Sequence, residues 1–151
     1  MTDNVRNFPM PELVHFGGIV DETKATLALY SDELDPAEVS QYLGVNPKWA
    51  RKKGEKIGER SPPAKTGFWL YEIRVHEPKG PEEAICELLA HFPEDAKWWQ
   101  ALARKYRVEI GLGIFFTGFN RGFEISTETA SKIANTGAKT VYDLYPDSED
   151  T

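Results

Sequence analysis

The segment 25–44, ATLALYSDELDPAEVSQYLG, constrains the fold more than any other stretch, because it places a strand and a capped helix end to end. Ala25, Leu27 and Leu29 fall on one side of an extended chain and Thr26, Ala28 and Tyr30 on the other, which predicts a strand over Ala25–Tyr30. Asp35 is a good N-cap and Pro36 suits the first helical position. Glu38, three residues after the cap, completes a capping box, and Leu34 with Val39 makes a hydrophobic staple. Val39, Tyr42 and Leu43 form the apolar face. Gly44 stops the helix in the left-handed conformation that glycine tolerates best.

The remaining elements follow from the same rules. Residues 13–19, LVHFGGI, read as a short edge strand halted by two glycines, behind an otherwise irregular extension over 1–23. Gly67–Val75, GFWLYEIRV, is aromatic and β-branched and reads as a strand. Phe68, Leu70 and Ile73 against Trp69, Tyr71 and Val75 do not alternate cleanly, so a bulge or two covered faces are expected. Pro81 opens a helix to about His91, with Ala84, Ile85, Leu88, Leu89 and Phe92 as its buried stripe, and Pro93 breaks it. A third helix over 94–105 carries Trp98, Leu102 and Tyr106 at intervals of four. Val108–Phe116 is an almost continuously apolar strand. A turn over Gly118–Arg121 leads to extended chain at Gly122–Ile125. Ser126 or Thr127 caps a helix bearing Ala130, Ile133 and Ala134 that ends near Gly137. The last strand is Thr140–Leu144, before an acidic tail over 147–151.

A faint repeat links ALYSDELDPAEVSQYLGV with FEISTETASKIANTGAKT: extended chain, cap, short helix, glycine stop. The expected architecture is one small α+β domain over residues 24–146. Its sheet is mainly antiparallel with helices packed on one face, in a ferredoxin-like arrangement or a relative of it with two related halves. The length of 151 residues suits one domain, and 40% hydrophobic content is enough for a core without metal or disulfide help.

Charge is where function enters. The chain has a formal net charge of −6 and a pI of about 5.1, which argues against a protein that coats nucleic acid with its whole surface. Between Lys48 and Lys65 the balance reverses. Lys48, Arg51, Lys52, Lys53, Lys56, Arg60 and Lys65 face only Glu55 and Glu59; seven cations less two acids leave +5 locally and −11 elsewhere. Arg51 and Arg60 are suited to gripping a carboxylate or phosphate, and Trp49 supplies a ring for stacking or partner burial. Two readings of the loop stand together: a solvated connection packed down by Trp49, or a surface for an anionic partner. Its glycines do not form a phosphate-cradling GxxxxGK[S/T] loop.

Other chemistry has little support. The lone cysteine, Cys86, lies beside an apolar helical stripe with no base nearby, and it makes a reducing compartment the simple reading. His15, His76 and His91 are far apart in sequence, so no metal or other cofactor is expected. Carboxylates are plentiful, but no positioned acid–base pair can be assigned, and no catalytic residue is expected. There is no apolar run of signal-peptide length and none of the ~20 residues a membrane helix needs, so the expected location is the cytoplasm and no membrane partner is expected. Trp98 and Trp99 are adjacent on a helix and point about 100° apart, so at least one lies outside the central core.

The strand ATLALYS, the helix ELDPAEVSQYLGVNP, the KGE that follows, the strand KTGFWLYE and the terminal YDLY together resemble a mostly bacterial family catalogued as domain of unknown function 4279. The resemblance spans residues 24–146. Its recurring KGE and tryptophan fall on Lys53, Gly54, Glu55 and Trp69. It implies no activity, and no catalytic residue is carried over. The function expected from the sequence is a binding domain that contacts an acidic protein or a small anionic ligand through Trp49, Arg51, Lys52, Lys53, Arg60 and Trp69. The alternatives are an enzyme with a dispersed site and a nucleic-acid-binding domain. The latter is opposed by the acidic remainder of the surface and by the absence of an RNP pattern.

Overall fold

The computed structural model describes residues 18–147. Five strands and four helices follow in order: β1 Glu22–Ser31, α1 Pro36–Leu43, β2 Trp49–Arg51, β3 Gly67–His76, α2 Pro81–Leu89, α3 Ala96–Lys105, β4 Arg107–Thr117, α4 Thr127–Thr136 and β5 Lys139–Asp147. The strands form one sheet in the order β2-β3-β1-β4-β5. The β2–β3, β3–β1 and β1–β4 pairings are antiparallel; β4–β5 is parallel, joined by α4. The domain is thus α+β with a mixed sheet, its parallel pair made possible by the helical crossover that such pairs require.

Directly opposed residues of paired strands share a face. One face carries Ala25, Leu27 and Leu29 of β1, Trp69, Tyr71, Ile73 and Val75 of β3, and Val108, Ile110, Leu112 and Ile114 of β4. These pack with Val39 and Leu43 of α1, Ala84, Ile85 and Leu88 of α2, and Trp99 and Leu102 of α3 in one core. Burying each such aliphatic side chain contributes about 1.5–3 kcal/mol, so this face holds the domain together.

Several expectations change. β3 pairs with β1 over ten consecutive residues without a bulge. Ile73 therefore lies with Trp69, Tyr71 and Val75, and Phe68 and Leu70 face the other way. In α3 it is Trp99, only 2% exposed, that enters the core; Trp98 is half-buried. Tyr42 is exposed at the rim of α1 and stacks on Trp98. In α4 the buried residues are Thr129 and Thr136. Of the expected edge strand over 13–19, residues 13–17 lie outside the described residues, and 18–19 form no strand. Residues 122–125 also form no strand, so the two echoing segments share their helix signals but not their strands.

The Asp35 cap and the glycine stops act as expected, whereas the reciprocal Glu38 bond of the expected capping box is not among the described contacts of α1. The Asp35 carboxylate accepts from the Ala37 amide at 3.0 Å, and Gly44 ends α1 at φ 74°. Ser126 caps α4 by accepting from the Thr129 amide.

Candidate functional site

The basic segment opens as a strand. Lys48 donates its amide to the Leu70 carbonyl at 2.7 Å, and Trp49–Arg51 then pairs with Phe68–Leu70 of β3. Ala50 lies opposite Trp69 on the core side. Trp49 and Arg51 are therefore turned onto the face that the core does not use. Sequence alone had given this stretch as loop; three residues are too short for a periodic signal.

After β2 the chain makes a tight turn. Gly54 sits at φ +87°, where a side chain would be strained. Its amide donates to the Ala64 carbonyl, and the Ala64 amide returns to the Glu55 carbonyl. The Glu55 carboxylate accepts from the Lys52 amide at 3.0 Å. Lys53, Gly54 and Glu55 thus build the base of the loop.

The cations divide into two sets. Lys48 pairs with Glu72, Lys52 with Asp35 at 3.4 Å, and Lys53 with Asp32 at 2.8 Å. The hydrogen bond from Lys53, with a second from Thr66, holds the Asp32 carboxyl below its ordinary pKa. The Ala37 amide does the same for Asp35, helped by Lys52. The acidic residues before α1 therefore anchor the basic loop. Arg51, Lys56, Arg60 and Lys65 make no ion pair among the described residues. Arg51 is partly buried, and its Nε is enclosed with no hydrogen-bond partner. Trp49 is 56% exposed. Trp69 is wholly buried, with Nε1 bonded to Ser40 Oγ. That corrects its expected place on a contact surface: a partner would have to open the core to reach it.

The register brings further residues to Arg51. Arg51 lies opposite Phe68, Phe68 opposite Tyr30, and Tyr30 opposite Arg107, so one row crosses β2, β3, β1 and β4 on the open face. The Arg107 guanidinium lies 4.6 Å from the Tyr30 ring centroid. Burial, reinforced by Glu109, raises the Tyr30 phenol pKa. Glu109 also lies 3.6 Å from Arg107 and 3.8 Å from Lys139. The row occupies the end of the sheet where the basic loop enters β3. Tyr30, Phe68 and Arg107 were not singled out in the sequence, because only strand pairing makes them neighbours of Arg51.

A second concavity lies on the helical side. A cleft of about 520 Å³ between α2 and α4 is lined by Cys86, Leu89, Phe92, Trp99, Glu94 and Lys132, among others. Cys86 Sγ lies 3.5 Å from Thr129 Oγ1. Its ionisable side chains, Cys86, Glu94 and Lys132, are not hydrogen-bonded to one another. Among the described residues no cluster of histidine, cysteine or carboxylate side chains is arranged to hold a metal ion. No helix among them is long and apolar enough to cross a membrane.

A family model described as domain of unknown function DUF4279 matches residues 21–147, and the chain belongs to that family. No curated protein and no solved structure matches it.

Proposed function

We propose that this member of the DUF4279 family is a binding domain that recognises an anionic partner, an acidic protein or a small anionic ligand, at the β2 end of its sheet. The reading is carried by Arg51, a partly buried guanidinium that makes no ion pair among the described residues, beside the exposed ring of Trp49. A guanidinium without an ion pair is suited to charge-assisted bonds with a carboxylate or phosphate that reaches its terminal nitrogens. Lys56, Arg60 and Lys65 extend the positive field outward, whereas Lys52 and Lys53 are occupied in holding the loop. The order β2-β3-β1-β4 supports a ferredoxin-like core to which α4 and β5 are added, with one face left for contacts. The single cysteine supports a cytoplasmic setting.

The test is retention of the full chain on immobilised polyglutamate and on polyphosphate at ~50 mM salt, a concentration at which surface electrostatics are weakly screened. Arg51→Gln combined with Arg60→Gln is expected to abolish retention. Lys52→Gln with Lys53→Gln is expected to weaken it less. Equal loss from both pairs, or no retention of the wild type on either matrix, refutes the assignment.

A further inference from the structure

The anion-binding reading leaves the aromatic row unused. Phe68 and Tyr30 stand side by side on adjacent central strands, both partly exposed, with Arg51 beyond Phe68 and the Arg107 guanidinium lying over the Tyr30 ring. Three strand spacings separate the two arginines, about 14 Å. That span accommodates two planar rings, one laid on Phe68 and one on the Arg107 guanidinium that lies over Tyr30. An acidic peptide would satisfy the cations but has no planar group for the rings. A free phosphate would use neither ring.

We propose that this end of the open face binds single-stranded nucleic acid. Two successive bases stack, one on Phe68 and one on the Arg107 guanidinium held over Tyr30, while Arg51 and the cations Lys56, Arg60 and Lys65 hold the phosphates. The inference goes beyond the proposed function: it rests on the same unpaired cations but takes a different class of partner from an acidic protein or a small anionic ligand. Open sheets that bind single strands combine stacking rings with a basic track in this way. Glu109, held beside Arg107 and Lys139, is placed to accept from exocyclic amines of a stacked base. Trp49, which lies opposite Leu70 one row away, offers a third ring. The acidic composition of the chain describes its surface as a whole, and the register places Arg51 and Arg107 in one row at one end of the sheet.

The experiment is fluorescence anisotropy with labelled octauridylate and octathymidylate against the full chain, with inorganic polyphosphate as competitor. Both oligonucleotides are expected to bind, with the two arms reporting any preference for RNA over DNA. About four phosphate contacts predict a loss of roughly 50-fold between 50 and 200 mM salt. Phe68→Leu and Tyr30→Leu keep apolar bulk while removing the ring. Each is expected to weaken oligonucleotide binding by about 5-fold or more and to leave polyphosphate binding unchanged. Phe68→Tyr is expected to retain binding. If polyphosphate binds but ring removal changes nothing for the oligonucleotides, stacking is refuted and the anion-binding reading survives. If neither polyphosphate nor oligonucleotide binds at 50 mM salt, both fall. Should Phe68→Leu fail to fold, as judged by circular dichroism, Tyr30→Leu alone decides between the outcomes.

Discussion

The indole Nε1 of Trp69 donates a 3.0 Å hydrogen bond to the Ser40 hydroxyl, fastening β3 to α1 through the core. The largest of the fully buried side chains thus has its one polar atom satisfied. Removing the acceptor leaves a buried N–H unmet, at a cost of about 1–3 kcal/mol. Ser40→Ala is expected to lower stability by that amount in urea denaturation, and Trp69→Ala by about 3–5 kcal/mol. An unchanged midpoint for Ser40→Ala would mean the bond contributes nothing net.

Lys53 and Asp32 provide a pH-dependent tether. The folded pKa of Asp32 lies below its unfolded value, chiefly through the hydrogen bond from Lys53. The stabilisation is therefore present above the unfolded carboxylate pKa and is lost as pH falls through the folded one. Lys53→Gln is expected to move the Asp32 pKa up towards its ordinary value and to leave Asp35, held first by the Ala37 amide, nearly unmoved. Carboxyl NMR titration reads both groups; an Asp32 curve that does not move would remove Lys53 as the cause.

Gly67 opens β3 where the chain passes closest to β1. A Cβ there would lie 2.6 Å from the Ser31 carbonyl oxygen and 3.0 Å from Leu34 Cβ. One contact is backbone, so relief requires the strand or the turn before α1 to shift. Gly67→Ala is expected to destabilise by about 1–3 kcal/mol, measured as a lowered denaturant midpoint. Gly58 has no such neighbours, and Gly58→Ala is expected to be near neutral.

Ile114 and Leu144 are direct partners across β4 and β5, yet only Ile114 is covered: it is 2% exposed and Leu144 62%. Ile114→Ala is expected to cost about 2–5 kcal/mol. Leu144→Ala is expected to stay within about 0.5 kcal/mol of wild type. Equal costs in thermal denaturation would show that something covers β5 in solution.

Sequence alone determined the helix boundaries marked by Asp35, Gly44, Pro81, Ser126 and Gly137, and the long strands β1, β3 and β4. Caps, prolines and apolar periodicity act within a few residues, so neighbouring side chains suffice to read them. It also located the charge reversal at Lys48–Lys65. Tertiary structure decided what those charges do. Asp32, Asp35 and Glu72 lie 17 to 24 residues from the lysines they bind, and nothing local specifies which cations are matched and which remain. The same holds for the turning of Trp69 inward and Trp49 outward. The sequence places Trp69 in a strand and Trp49 in a loop, and the pairings of β3 with β1 and with β2 assign their faces. The row from Arg51 to Arg107 draws on four strands spread over 78 residues of chain. Strand register, a property of pairing between distant segments, is what makes it a surface.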